Sequence, residues 1–435
     1  MVYIRPREAT VLSAIRRESH FKRHAKHMHK RFRSWTQKRV RAYRMNLPVV
    51  LTADSAAMDG QYIAACCQKA ASNRKHDVRL WYGYSRRVRE IAPSLNPEQL
   101  GYILYGFGKA RFLHEGLYRD LVPHISKLLP DFWSHPLMII AWAFQRVQIK
   151  EPELMEKIMD TALSKMDSMR PADIIRISNI YAKMGLKNPS LAQKLSSELI
   201  PKWERTFATD FREVISDVSL CQLYDNDAKK YIMERFRRAH PAARPQHYLQ
   251  AYRCAVALRV LFPDIWEALP AATRAFYVRL SLRRIYQRPR FPSAFHWEVS
   301  NDLVKLGVAH RNTFRWGCYW IDIGEVDDRN NCWFVDGPSS FYTSSTEYLE
   351  VKKLHHRILS DLGWNVRRVR WYDWLSLGPD EQAKRAFLQR LRSEDAKREI
   401  EDTARGLSSS DLKRLLAQVA KRARRERPAP IQFAL

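Results

Sequence analysis

The sequence predicts a mainly α-helical chain closed by a small α/β domain, and three observations predict it. From Gln61 to about Phe236, apolar residues recur at three- and four-residue spacing, the periodicity of helices with one buried stripe. Three segments in that stretch, NPEQLGYILYGFGKARF, HPLMIIAWAFQRVQI and RPADIIRISNIYAKMGL, align at an interval of 37 residues. After Pro292 the period changes to short apolar runs alternating with helices, the order of a mixed sheet.

In the repeat, Phe107, Phe144 and Tyr181 fall 37 residues apart, and so do Lys109, Arg146 and Lys183. Each segment has proline near its helix start (Pro97, Pro136, Pro171), where a missing N–H costs little. A weaker fourth unit, FREVISDVSLCQLY, follows at a similar interval. One helical hairpin cannot bury its apolar face alone, whereas stacked hairpins share a continuous core. Residues 46–290 are therefore expected to form a helical-repeat, α-solenoid-like body. Further helices are expected through Tyr248–Leu258 and Ala271–Ile285. The second runs into Arg274–Arg290, six arginines and no acid, where Arg283 and Arg284 are candidate RNA contacts. Pro289 and Pro292 then mark a linker.

Beyond the linker, residues 293–392 read as an α-β-β-α-β unit. His296–Leu306 is helical, with Val299, Leu303 and Leu306 on one face, and Cys318–Val326 and Cys332–Asp336 are strands joined by the polar turn DDRNN. Helix Glu347–Leu359 and strand Trp364–Arg370 follow, and the chain turns helical again after Pro379.

The stretch WFVDGPSSFYTSSTEYLEVKKLHHRILSDLGWNVRRVRWYDW, Trp333–Trp374, resembles the RAP domain of organellar RNA-metabolism proteins. An apolar strand entering Asp336-Gly337-Pro338, Phe341, a helix, Gly363-Trp364, a second strand and the closing Trp374 carry the likeness, in fixed order. The resemblance implies a restriction-endonuclease-like fold over roughly residues 293–392. It also implies a layout like that of the Fas-activated serine/threonine kinase family, in which degenerate helical arrays precede the RAP domain.

A nuclease of that fold needs two carboxylates for Mg²⁺ and a lysine to align the attacking water. Asp322 and Asp336, with Glu298 as a third, are the acids on offer. Phe334 occupies the place of the second carboxylate, however, and Asp336 stands where the lysine belongs. No catalytic residue, metal ligand or cofactor is therefore expected, and Asp336 is read as capping the turn at Gly337 and Pro338. No Walker loop, G-x-G-x-x-G, H-E-x-x-H or G-x-S-x-G occurs. His24, His27 and His29 lie among cations unsuited to a metal, and His355 and His356 read as the polar edge of a helix.

Binding chemistry is better represented. The net charge is +29, and three blocks hold most of it: residues 1–45 carry +12, Arg274–Arg290 +6 and Lys413–Arg427 +6. Phosphate neutralisation dominates nucleic-acid affinity, and planar side chains among the cations let unstacked bases lie against them. The basic arm, 1–45, supplies both in KRFRSWTQKRVRAYR, with Lys22, Arg23, Lys26, Arg31, Arg33, Trp35, Lys38, Arg39 and Arg41 as candidate contacts. Arg367, Arg368 and Arg370 are the candidates in the α/β domain, beside Trp364 and Trp371, whereas Trp364 and Trp374 themselves read as core. Residues 393–435 read as a basic helix and tail.

An Arg-rich, acid-poor arm also has the composition of a mitochondrial presequence, compatible with a second role on RNA. No apolar run reaches the 18 or more residues of a spanning helix, so no membrane insertion is expected. The six cysteines, Cys66, Cys67, Cys221, Cys254, Cys318 and Cys332, form no C-x-x-C pair and read as free buried thiols. The expectation is a non-catalytic RNA-binding protein of the mitochondrial matrix, a mitoribosome component or assembly factor that meets ribosomal RNA and neighbouring ribosomal or assembly proteins. An RNA-processing endonuclease and a sequence-specific RNA stability factor are the alternatives.

Overall fold

A computed structural model describes residues 49–169, 171–186, 193–197, 216–239, 245–281, 291–328, 330–393, 410–412 and 414–418. The basic arm with all of its candidate contacts, Arg283 and Arg284 lie outside the described residues, as does most of the tail.

The body is two layers of helices. Helices α1 (Gly60–Ser72), α3 (Pro97–Ala110), α5 (Ser134–Val147), α7 (Pro171–Lys183) and α8 (Asp217–Leu223) pack side by side in chain order. Helices α2 (Val78–Ile91), α4 (Glu115–Leu128) and α6 (Pro152–Ser164) form the second layer behind them. This is the expected solenoid, with its first unit one repeat earlier than the aligned segments. The period is written in the caps: Arg74, Arg111, Gln148 and Gly185, each 37 residues from the next, all have positive φ, from 53° to 74°. Beside each, an N–H closes the helix on a carbonyl five residues back: Lys75 on Ala70, Phe112 on Phe107, Ile149 on Phe144 and Leu186 on Tyr181. That bond is the signature of a helix end wound into the left-handed region.

Glycine sets how closely the first layer packs. A Cβ on Gly106 would stand 2.8 Å from the Cys67 carbonyl oxygen on α1, and one on Gly108 would stand 2.9 Å from the Trp142 ring on α5. Glycine is poor in helix interiors, and here it is used where two helices approach on either side. Asn96 caps α3 with a reciprocal bond to Gln99.

The body continues through α9 (Asn226–Ala239), α10 (Pro245–Leu261), α11 (Pro263–Glu267) and α12 (Ala271–Ser281). Tyr277 is buried among them, its hydroxyl donating to the Met233 carbonyl at 2.9 Å.

The α/β domain has four strands, one more than expected. After α13 (Ala294–Lys305) come β1 (His310–Trp316), β2 (Tyr319–Glu325) and β3 (Asn331–Asp336), then α14 (Glu350–Asp361), β4 (Asn365–Arg370), α15 (Trp371–Ser376) and α16 (Glu381–Ser393). The sheet order is β1-β2-β3-β4, antiparallel except for the parallel β3–β4 pair. β1 escaped the sequence reading because HRNTFRW is polar and lacks alternation, as suits an edge strand half open to solvent. Cys332 and Phe334 of β3 face a core shared with α14 and with Ala257 of α10. Trp333 and Val369 face the opposite core, with α13, α16 and Trp374. The sheet thus lies against the body through one face, which makes body and domain a continuous packed structure. The cysteines are free, as expected, and all but Cys221 are fully buried.

Candidate nucleic-acid interface

At the end of β3, Asp336 is 0% exposed. Its neighbour in the parallel ladder, β4, brings Arg368 onto the same face, with Nη1 donating to Asp336 Oδ2 at 2.6 Å. From α14, Lys352 Nζ reaches Oδ1 at 3.4 Å, and the Tyr348 hydroxyl donates to Oδ2 at 3.3 Å. Burial pushes the carboxyl up, but the Arg368 and Lys352 charges win and hold it at about 2. The expected turn cap is met only in part: Ser340 of the turn also bonds the carboxylate, but β4 and α14 deliver two side-chain cations to the same buried acid.

Asp322, on the neighbouring strand β2, accepts the Val335 N–H at 3.0 Å, and burial raises its pKa despite Lys352 nearby. Glu298 is held elsewhere, accepting from Trp374 Nε1 at 3.0 Å with Lys384 at 3.7 Å. Glu298 is thus held apart, whereas Asp322 and Asp336 lie close enough to interact and both feel the Lys352 charge. Among the described residues, no group of three or more His, Cys, Asp and Glu is placed to hold a metal ion.

The arginines of β4 alternate across the sheet as a strand requires. Arg368 faces α14, its guanidinium 4.9 Å from the Phe334 ring centre and 5.2 Å from that of Tyr348, with Nε donating to His356 Nδ1 at 3.2 Å. Arg367 faces the other way and closes the last turn of α16, donating to the Leu391 carbonyl at 2.9 Å and the Arg392 carbonyl at 2.6 Å. Both are buried and spent inside the fold, so the structure places neither where the sequence reading expected an RNA-facing cation. Arg370 pairs with Asp373 and lies over the Tyr372 ring, partly exposed at the domain edge. Trp374 and Trp371 are buried; Trp364 is half-buried against Trp316, their ring centres 5.6 Å apart.

The sequence reading missed the junction between body and domain. The loop after Asp336 runs along the ends of the repeat helices and satisfies carbonyls that helix ends leave open. Thr343 N–H donates to the Gln148 carbonyl at 2.9 Å and Thr343 Oγ1 to that of Val147 at 2.7 Å, while the Tyr342 hydroxyl donates to that of Lys183 at 2.8 Å. Lys150 pairs with Glu347 at 2.6 Å. At Gly185 a Cβ would stand 2.8 Å from Glu350 Oε1, so the one glycine among the four caps sits where α14 passes. His355 and His356 are correspondingly interior. His355 Nε2 meets buried Asp217 of α8 at 3.1 Å, and burial lowers the imidazole pKa despite the carboxylate.

Residues 333–391 match the RAP domain, and residues 47–241 match the family of the RNA-editing substrate-binding complex 6 protein. No curated protein matches the chain.

Proposed function

We propose that this RAP-domain protein, whose helical body resembles an RNA-editing substrate-binding complex protein, is a non-catalytic RNA-binding subunit of a mitochondrial ribonucleoprotein. One observation carries the non-catalytic half. The acid that a metal-dependent nuclease of this fold would offer to Mg²⁺ is fully buried and neutralised by Arg368 and Lys352. Releasing it for a metal would strand the Arg368 guanidinium in the interior. The RNA-binding half is supported by the net charge of +29, which favours a polyanion.

The first assignment is to the mitochondrial matrix as a mitoribosome component or assembly factor. Its support is the distribution of the charge: a basic arm, a basic segment in mid-chain and a basic tail suit a large folded RNA met at several points. The presequence-like composition of residues 1–45 supports the compartment. A second reading, in which the bound RNA is a substrate of editing, is favoured by the family match over 47–241. Ultraviolet crosslinking in the native organelle, followed by sequencing of the attached RNA, separates them. Ribosomal RNA supports the first assignment, edited transcripts the second, and no recovered RNA would overturn both. Deletion of residues 1–45 from the otherwise folded protein is expected to abolish co-sedimentation with the ribosome.

A further inference from the structure

The 37-residue period places more than apolar positions in register. On α5, Trp142 and Arg146 lie four residues apart on one side, and Phe144, between them, is turned to Tyr118 of the second layer. A helix turns about 100° per residue, so Trp142 and Arg146 face away from that second layer. One repeat earlier, Tyr105 and Lys109 hold the same positions on α3. The rings of Tyr105 and Trp142 are 5.7 Å apart and inclined by 30°, both half-buried. Lys109 Nζ stands 5.4 Å from the Tyr105 ring centre and 3.4 Å from Ser72 Oγ, the equivalent residue of α1.

Two features distinguish this face from an ordinary solvated one. The first is that its cations repel each other without an acid between them. Arg111, at the left-handed cap of α3, is exposed; partial burial and, after it, the Arg111 charge lower the Arg146 pKa, and neither guanidinium has an ion-pair partner among the described residues. On the second layer, by contrast, Arg89 is paired with Asp120 and Arg119 with Glu115. The second is that Trp142 is held by the backbone beneath it: its ring crosses α3 at Gly108, where a Cβ would come within 2.9 Å. A flat aromatic fixed in place, with cations one turn away, matches what an unpaired base and its phosphate require.

We infer that the α3–α5 face, with Trp142 and Tyr105 as stacking rings and Arg111, Arg146 and Lys109 as phosphate contacts, is a binding site for single-stranded RNA. The inference rests on the RNA-binding reading and deepens it by assigning a site on the repeat body, apart from the basic arm and the RAP domain.

The test uses the full-length chain and a fluorescently labelled 12-nucleotide single-stranded RNA, with anisotropy titrations across a salt series. Trp142→Leu keeps apolar packing but removes the stacking surface. It is expected to weaken binding by about 5- to 100-fold while leaving the salt dependence unchanged. Arg111→Ala with Arg146→Ala is expected to lower the slope of log affinity against log salt by about 1.4, the value for two phosphate contacts on a single strand. Both variants must keep the wild-type melting temperature, and Arg146→Glu, at an exposed position, provides a version that cannot disturb the core. Wild-type affinity and slope in all of these would remove the site and leave the RNA-binding reading standing, with the contacts elsewhere. A wild-type protein that fails to bind the RNA would overturn both. Loss of binding in the arginine variants alone, with polyglutamate competing as well as RNA, would overturn the inference in favour of an acidic protein partner.

Discussion

Replacing Asp336 by Asn tests whether the family's marker acid is structural. The substitution conserves shape and removes one negative charge from a fully buried site. Arg368, with a side chain only 7% exposed, loses the partner 2.6 Å away, and Lys352 at 3.4 Å loses its own. The two aromatic rings around Arg368 cannot offset a missing counter-ion at these distances. Removing one partner of such a buried pair costs about 3–5 kcal/mol, a large part of the ~5–15 kcal/mol that stabilises a domain. Hydrogen exchange at the β3 and β4 amides, together with urea unfolding followed by near-ultraviolet circular dichroism, would read the loss. Asp336→Asn combined with Arg368→Met should recover at least half of it, since an apolar side chain needs no counter-ion. A single-variant loss below ~1 kcal/mol, or no recovery in the double variant, would show that Asp336 is not the counter-ion of a buried cation.

Three further outcomes follow from the same geometry. Because the folded pKa of Asp336, about 2, lies below its ordinary value of 3.8, its stabilisation is complete above about pH 4. It is lost as the pH falls towards 2, an acid limb that Asp336→Asn should lack in pH-dependent unfolding. Gly185→Ala combines a φ of +74° with an approach of 2.8 Å to Glu350, and should cost about 1–3 kcal/mol and raise amide exchange at Thr343, whose N–H crosses the junction. Trp374→Phe leaves Glu298 without its indole donor and should lower the melting temperature by a shift equivalent to ~1–3 kcal/mol, with RNA affinity unchanged.

The repeat was legible because solenoid packing imposes one set of demands at each unit. Phe107, Phe144 and Tyr181 fill the same core position, and their spacing could be read without a structure. The first unit was not legible by that route, since α1 is rich in alanine and has Ala70 where later units have an aromatic. Its left-handed Arg74 reveals it, and arginine gives no sign in sequence of the backbone conformation that glycine announces at Gly185. In the RAP domain the order of elements around Asp336-Gly337-Pro338 could be followed, but polar β1 could not. The departure of Phe334 from a nuclease pattern was visible as well. What the sequence could not disclose was the destination of the charges. Arg367 and Arg368 are adjacent in a run of basic residues, yet strand alternation sends them to opposite faces, one to close α16 and the other to neutralise Asp336. Neither partner is near in sequence, and both depend on how α14 and α16 are packed. The same limit applied to His355, whose partner Asp217 lies 138 residues away across the junction.

The RNA-binding reading holds that this chain binds RNA without cutting it. The direct measurement is to incubate the full-length protein with single-stranded RNA labelled at both ends, in Mg²⁺ and in Mn²⁺, and to follow retention and length in one gel. The expected result is a salt-sensitive shifted complex from which the RNA is recovered at full length. Metal-dependent shortening that persists through purification and disappears in a folded Asp322→Asn variant would contradict it.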